Sequence, residues 1–186
     1  MRKLIYSMGV SLDGFIADAD GKIDWTAPDE ELHRFHNDQA REAGAHLYGR
    51  RLYEAMAPWE TADEDPARAE HEREFARIWK DTPKIVFSTT LDAVDAGNAR
   101  LVKRDAVEEV ARLKEEDGRD LAVGGAGLAS TFIAAGLVDE YRLFVNPVVV
   151  GGGTPFFPRL AHRIDLQLAE TRTFASRVVY VRYRLS

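Results

Sequence analysis

Short apolar runs separated by polar stretches with helical periodicity set the plan of this chain. Segments 3–9, 45–48, 84–88, 121–123, 140–146 and 166–173, with 177–184 closing the chain, read as strands. Several are brief Val/Ile/Leu/Phe runs, the pattern of strands covered on both faces. Between them, Leu32, Phe35, Ala40 and Ala43 recur at roughly helical spacing after Pro28, which is well placed to open a helix. Segments 66–79, 106–115 and 127–136 carry three further helical patterns. Strand and helix alternate until about Gly136, and the chain then turns to strands alone. That order predicts an α/β fold in three layers: a central, mostly parallel sheet, helices on both faces, and a C-terminal antiparallel hairpin at one edge.

The length of 186 residues supports one substantial core and predicts a single domain over 1–186. A net charge of −6 offers no basic footprint for nucleic acid or acidic membranes. There are no cysteines, which excludes disulfides and thiolate metal sites and fits a reducing, cytoplasmic setting. The basic start, Met1-Arg2-Lys3, reaches Asp13-Gly14 without a long apolar stretch, so neither a signal peptide nor a membrane span is expected. The acidic and Arg-rich segment 60–74 reads as a solvated loop and helix face.

Chemistry is suggested where strands end. The run Leu121-Ala122-Val123 meets Gly124-Gly125-Ala126-Gly127 and passes straight into a helical pattern. Glycines let a backbone approach a ligand closely, and the free N–H groups of a helix start favour an anion. The same arrangement also serves as a plain strand-to-helix turn. It is neither a Rossmann fingerprint, since Ser130 stands at the third small position, nor a P-loop, since no Gly-Lys-Ser/Thr follows. A second strand ends in Tyr48-Gly49-Arg50-Arg51, whose planar guanidinium forks suit phosphate oxygens. A third ends in Ser88-Thr89-Thr90, hydroxyls able to bond a phosphate or to cap a turn. Ligands of open α/β sheets gather at the carboxyl ends of strands. Together these three ends describe a site for a phosphorylated dinucleotide better than any one alone.

The first strand leads into Ser11-Leu12-Asp13-Gly14-Phe15-Ile16-Ala17, an apolar loop flanked by Asp/Gly turns, and then to Trp25. Asp29, Glu30 and Glu31 follow in a first helical turn, where acids complement the helix dipole. Glu31, four residues before Phe35 at the edge of the apolar stripe, is the carboxylate best placed to enter a cleft. His33 and His36 lie three apart on that helix without a convincing third ligand, so no metal site is expected. His46, His71 and His162 are scattered, and no serine has a paired histidine.

In order along nearly the whole chain, these segments resemble the dihydrofolate reductase-like superfamily, and most closely the reductase domain of the bifunctional riboflavin-biosynthesis deaminase-reductases. The resemblance rests on residues 10–17, Tyr48-Gly49-Arg50, Val86-Phe87-Ser88, Val123-Gly124-Gly125-Ala126-Gly127, residues 137–141 and Pro147-Val148-Val149-Val150-Gly151. It implies an NADPH-dependent reductase, often a homodimer. Gly124, Gly125, Ala126 and Gly127 would hold the pyrophosphate, and Gly49, Arg50 and Arg51 the phosphate-bearing end. Ser88 and Thr89 would face the adenosine, and Ile16 and Ala17 the nicotinamide. Glu31 and Phe35 match the acid and Phe that contact the pterin in dihydrofolate reductases. Val123 stands where the riboflavin reductases usually have a Glu, and no deaminase zinc ligands are present.

The expected activity is hydride transfer from NADPH to a pterin- or aminopyrimidine-type heterocycle. The nearest family activities are 5-amino-6-(5-phosphoribosylamino)uracil reductase and dihydrofolate reductase. Glu31, with Asp13 second, is the expected acid, and Trp25 and Phe35 the expected walls of the pocket. Two alternatives remain open at this point: reduction of a small carbonyl or nitro compound, and a non-catalytic, dimeric nucleotide-binding protein.

Overall fold

The computed structural model describes residues 1–186. The first half contains β1 (Leu4–Ser11), β2 (Phe15–Ala17), α1 (Glu30–Glu42), β3 (Ala45–Gly49), α2 (Arg50–Met56), α3 (Glu70–Asp81) and β4 (Lys84–Phe87). The second contains β5 (Ala99–Val102), α4 (Ala106–Glu115), β6 (Leu121–Gly124), α5 (Ala126–Ala134), β7 (Glu140–Asn146), β8 (Thr154–Pro155), β9 (Leu166–Thr173) and β10 (Val179–Leu185). Eight strands form one sheet in the order β5-β4-β3-β6-β1-β7-β10-β9, and β2 pairs with β8 apart from it. The ladders from β5 through β7 are parallel, whereas β10 runs antiparallel to both β7 and β9. The anticipated mostly parallel sheet with a C-terminal hairpin is therefore what forms. No helix is long and apolar enough to cross a membrane.

Two faces of the sheet are covered differently. On one, Leu4, Tyr6, Leu47, Ile85, Leu121 and Val123 meet Val110 and Leu113 of α4 and Ala129, Phe132 and Ile133 of α5 in the largest core cluster. On the other, Tyr48 and Val86 pack on Tyr53 and Trp79, beneath α2 and α3, and Phe144 and Tyr180 pack on Leu32 of α1. Both clusters lie towards the flanks. Between them the central strands present Ser7, Gly9, Ala122 and Gly124, all only half-buried in mid-sheet. Side chains this small cannot fill the roughly 10 Å that separates a sheet from a packed layer.

Local chemistry explains the element boundaries. The Asp29 side chain accepts the Leu32 N–H at 2.9 Å, and Glu30 and Glu31 occupy the first turn, so α1 starts one residue after an Asp cap and not at Pro28. Helix α3 starts at Glu70, four residues after the pattern suggested, because Asp65–Arg68 close a turn first. Strand β5 escaped the sequence reading because Ala99–Val102 is only four residues long and is interrupted by Arg100. It is placed by its parallel pairing with β4. The β2–β8 pair was likewise too short to read.

Beside β5, the fully buried Glu109 carboxylate is met by Arg100 at 2.5 Å, by Arg112 at 3.1 Å and by Arg104. Burial alone raises its pKa, but hydrogen bonds from Arg112, Arg100 and Arg104 outweigh that and bring it down to about 2. A depressed carboxylate pKa contributes stability that is present above the ordinary value near 4.5 and is lost as pH falls towards about 2. Urea melts of the wild type should therefore weaken steadily from pH 4.5 to 2. Glu109→Gln should be destabilised at pH 7 and lack this part of the acid dependence. An unchanged acid limb in the variant would show that the cluster contributes nothing.

Candidate functional site

The uncovered middle of the sheet is the floor of a cleft of about 410 Å³ that passes beneath α1. Its roof is the helix stripe His33, His36, Ala40 and Ala43, spaced three or four apart. Leu52, Met56, Trp59 and Phe75 wall the side towards α2 and α3. A smaller hollow of about 150 Å³ adjoins it, sharing Met8, Gly9, His36 and Phe144 and adding Ile16, Ile23, Thr26 and Asn146 at the mouth.

Burial disfavours the charged form of the three imidazoles of the cleft. Burial, reinforced by His33, pulls His36 down to about 4, and burial, reinforced by Lys84, does the same to His46. His33 is lowered by burial and by His71. His33 Nδ1 and His46 Nε2 are buried and lack a protein partner. The charged groups of the lining lie at the far end. Arg142 donates to Glu140 at 2.7 Å and lies 3.6 Å from Glu42, while Asp120 accepts the Lys3 N–H at 2.8 Å.

Beside the cleft, the carboxyl ends of β4, β3 and β6 stand side by side, because these strands are neighbours and parallel. Arg50 begins α2 and reaches Thr90 Oγ1 at 3.1 Å, and Thr90 lies 3.3 Å from Ser88 Oγ. A side chain at Gly49 would touch Leu128 of α5 at 3.9 Å. The three ends share one rim. Gly125, with φ of +84°, turns the chain from β6 into α5, a conformation that favours glycine. Helix α5 has no capping side chain, and its first internal bond is Ala129 N–H to Gly125 O. At Gly127 the space where a side chain would stand is open. Uncapped amides at a helix start on the same rim as an arginine suit phosphate oxygens. Gly124 serves packing instead, since a Cβ there would lie 2.6 Å from Leu52 Cδ2.

The remaining expected residues are placed as follows. Gly49 caps α2 without a side chain, and Arg51 is exposed beside Arg50. Ser88 also caps its own turn, accepting from Thr90 and Leu91 amides. Thr89 is exposed, and Thr90 makes the arginine contact. Ile16 lines the mouth, and Ala17 is held against Gly153. Trp25 lies in the turn between the mouth residues Ile23 and Thr26, its indole N–H buried without a partner.

Glu31 and Phe35 lie away from the cleft, and this corrects the geometry expected of them. They fall on the other stripe of α1. Phe35 packs on Phe144, Phe174 and Tyr180, and Glu31 binds Arg172 at 3.0 Å and the Ala175 N–H at 3.1 Å. The Ala175 and Arg172 hydrogen bonds lower the Glu31 pKa, which keeps it ionised and unsuited to giving a proton near neutrality. Asp13 also lies outside the lining. Ser11 and the Gly151 and Val150 amides hold its carboxylate below the usual range, and it ties β1's loop to the chain after β7 at 2.7 and 3.1 Å. The sequence reading weighed the histidines only as metal ligands and did not single out Ser7, Gly9 or Ala122. The alternation Ile5, Ser7, Gly9 against Leu4, Tyr6, Met8, Val10 was the available signal.

A family model described as the RibD C-terminal domain matches residues 2–180. The Bacillus subtilis (strain 168) protein YyaP is 37% identical over 183 residues, covering 98% of this chain and 94% of that protein. Among solved structures, a Shewanella sp. PV-4 protein named for riboflavin biosynthesis aligns over 100% of this chain and 99% of its own, at 22% identity and a TM-score of 0.77. The Thermotoga maritima diaminohydroxyphosphoribosylaminopyrimidine deaminase/5-amino-6-(5-phosphoribosylamino)uracil reductase aligns over 100% of this chain and 57% of its own, at 17% identity and 0.70. Dihydrofolate reductase from Enterococcus faecalis, complexed with NADP(H) and RAB-propyl, aligns over 99% of this chain and 96% of its own, at 16% identity and 0.66.

The loop that carries Ile16 and Ala17 is held by close contact. A Cβ at Gly153, where φ is +132°, would lie 2.1 Å from the Ala17 carbonyl oxygen. Gly153→Ala should therefore separate β8 from β2 and loosen the nearby Phe156 N–H bond to Gly14. Hydrogen exchange at Phe156 should quicken at least about tenfold while amides of β1 and β6 stay protected. Equal exchange in both proteins would show that this contact does not hold the loop.

Proposed function

The chain belongs to the RibD C-terminal domain family, and from that premise we propose that it is an NADPH-dependent reductase delivering hydride to a flat, nitrogen-rich ring of pterin or aminopyrimidine type. The observation that carries the reading is the shared rim of Arg50, Thr90, Ser88 and the first turn of α5, opening beside an apolar cleft. The match to dihydrofolate reductase complexed with NADP(H) supports the same cofactor.

NADPH, when bound, supplies the hydride; the chain supplies position and a dry site. The amides of Ala126 and Gly127 and the Arg50 fork are suited to hold the phosphates, with Gly49, Arg51, Ser88 and Thr89 beside them. Ile16 and Ala17 are suited to wall the nicotinamide end. The acceptor ring would lie on Ser7, Gly9 and Ala122 under α1, with His36 at the junction of the two hollows. Neutral imidazole has one donor and one acceptor nitrogen, so His36 can orient a ring or pass a proton from water. We assign Glu31 and Asp13 positioning roles: Glu31 anchors α1 to the segment before β10, and Asp13 anchors the mouth loop.

That placement also keeps a second reading in view, with a small carbonyl or nitro compound as the acceptor, since such chemistry requires no carboxylic acid at the ring. Substituting Glu31→Gln should change kcat less than about threefold and lower the melting temperature. A loss of a hundredfold or more in kcat at unchanged stability would return Glu31 to the chemistry.

Titrating NADPH against the pure protein should raise or quench nicotinamide fluorescence. No change at millimolar cofactor removes the proposal. Arg50→Gln should weaken NADPH by at least about tenfold and NADH much less, because only NADPH carries the extra phosphate. Equal weakening of both would place Arg50 away from that phosphate.

A further inference from the structure

We propose that the cleft beneath α1 takes an uncharged ring or nucleoside and rejects the same molecule bearing a phosphate or a carboxylate. The inference deepens the reductase reading by naming the substrate class, and it rests on that reading only for the cleft being the substrate's seat.

Charge is sorted sharply between rim and cleft. At the rim, Arg50 is half-exposed and paired with the equally exposed Glu54 at 2.8 Å, and Arg51 is exposed without an ion-pair partner, beside uncapped helix amides. Inside the cleft, Arg142 is the one cation of the lining, and it is already spent. Its guanidinium is buried, donates to Glu140 and lies near Glu42. With Glu42 and Asp120, the charged groups of the lining sum to −1 (one Arg against one Glu and one Asp). The mouth hollow has no charged lining residue at all.

The polar groups of floor and roof are uncharged: Ser7 lies on the floor, and His33, His36 and His46 line the cleft. Burial disfavours the charged form of each imidazole. His71 adds to this at His33, where Asn37 and Glu72 oppose it; His36 faces His33 and the Phe144 ring at 4.1 Å; His46 faces Lys84 and the Tyr48 ring at 5.7 Å. Lys84 does not reach the lining, because its ammonium bonds Asn98 at 2.7 Å and sits over the Trp79 ring. A phosphate dianion entering here would exchange water for neutral rings and a negative far end. Moving such a charge from water without a partner is strongly unfavourable. A flat heterocycle with ring nitrogens and carbonyls, in contrast, matches apolar walls interrupted by a few neutral donors and acceptors.

Isothermal titration of the cofactor-free protein with 5-amino-6-(ribosylamino)uracil and with its 5′-phosphate compares two molecules that differ only in the charged group. The unphosphorylated form should bind at least tenfold more tightly. Ala122→Phe, which fills the floor from a side chain already facing open space, should abolish that binding while leaving the melting temperature close to wild type. Should that variant unfold, Ser7→Leu repeats the test from β1. Equal or tighter binding of the phosphate ester overturns the proposal. So does failure of both molecules to bind at millimolar concentration, or binding that survives both floor variants. NADPH titrated against the same samples keeps the two readings apart: cofactor binding without this ring preference sinks the substrate class alone.

Discussion

Everything functional in this molecule depends on a missing layer of side chains. In the middle of an eight-stranded sheet, β1 and β6 turn Ser7, Gly9, Ala122 and Gly124 towards α1, while their other face carries Leu4, Tyr6, Leu121 and Val123. Interior packing is normally as dense as an organic crystal, so a row of such small residues either draws the covering helix inward or leaves space. Helix α1 cannot move inward. Leu32 and Phe35 brace it on Phe144, Phe174 and Tyr180 at one flank, and Asn37, fully buried, bonds His71 O and Glu74 of α3 at the other. The cleft is thus held open from both sides by packing, and its apolar stability is supplied elsewhere, chiefly by the clusters under α4 and α5.

The same frame explains why charge is separated so cleanly. Parallel strands bring the ends of β4, β3 and β6 to one edge, and each is followed by a helix start or a hydroxyl turn, where free amides and arginines meet solvent. Anion-holding groups there stay hydrated until a ligand arrives. Under α1 the opposite condition holds: burial makes a charge costly, so the side chains are neutral imidazoles, and the one arginine is matched by carboxylates. The rim and the cleft therefore differ in the ligand chemistry they suit, although they meet at Gly124.

The strand and helix order was legible because each buried strand is a compact apolar run, and the parallel sheet followed from the alternation. The rim was legible for the same reason: Gly49-Arg50 and Gly124-Gly125 stand directly after such runs. Lateral detail was not. The pairing of Arg50 with Thr90 and not Thr89 depends on which hydroxyl of three turns towards α2. The direction of Glu31 depended on which of two stripes of α1 faces the sheet centre. Leu32 and Phe35 mark the packed stripe, and His33 and His36, polar in composition, mark the one over the cleft. Apolar periodicity joined Leu32 and Phe35 of the packed stripe with Ala40 and Ala43 of the cleft roof, so it could not tell the two sides apart.

The mouth of the cleft is built by segments far apart in sequence, and this links its shape to the rest of the fold. Ile16 sits on a three-residue strand that has no place in the main sheet; it is positioned by β8, by the Asp13 carboxylate on the Val150 and Gly151 amides, and by Phe156 bonding Gly14. Phe156 is itself buried and stacks on Tyr6 at 4.2 Å, inside the large core. A loop of polar and glycine residues would ordinarily be among the least stable parts of a protein. Here its position is set by a core aromatic residue, so Ile16 can wall a ligand site without belonging to a long element. The rigidity of the mouth then comes from the face of the sheet that carries no ligand, through Phe156 and Tyr6.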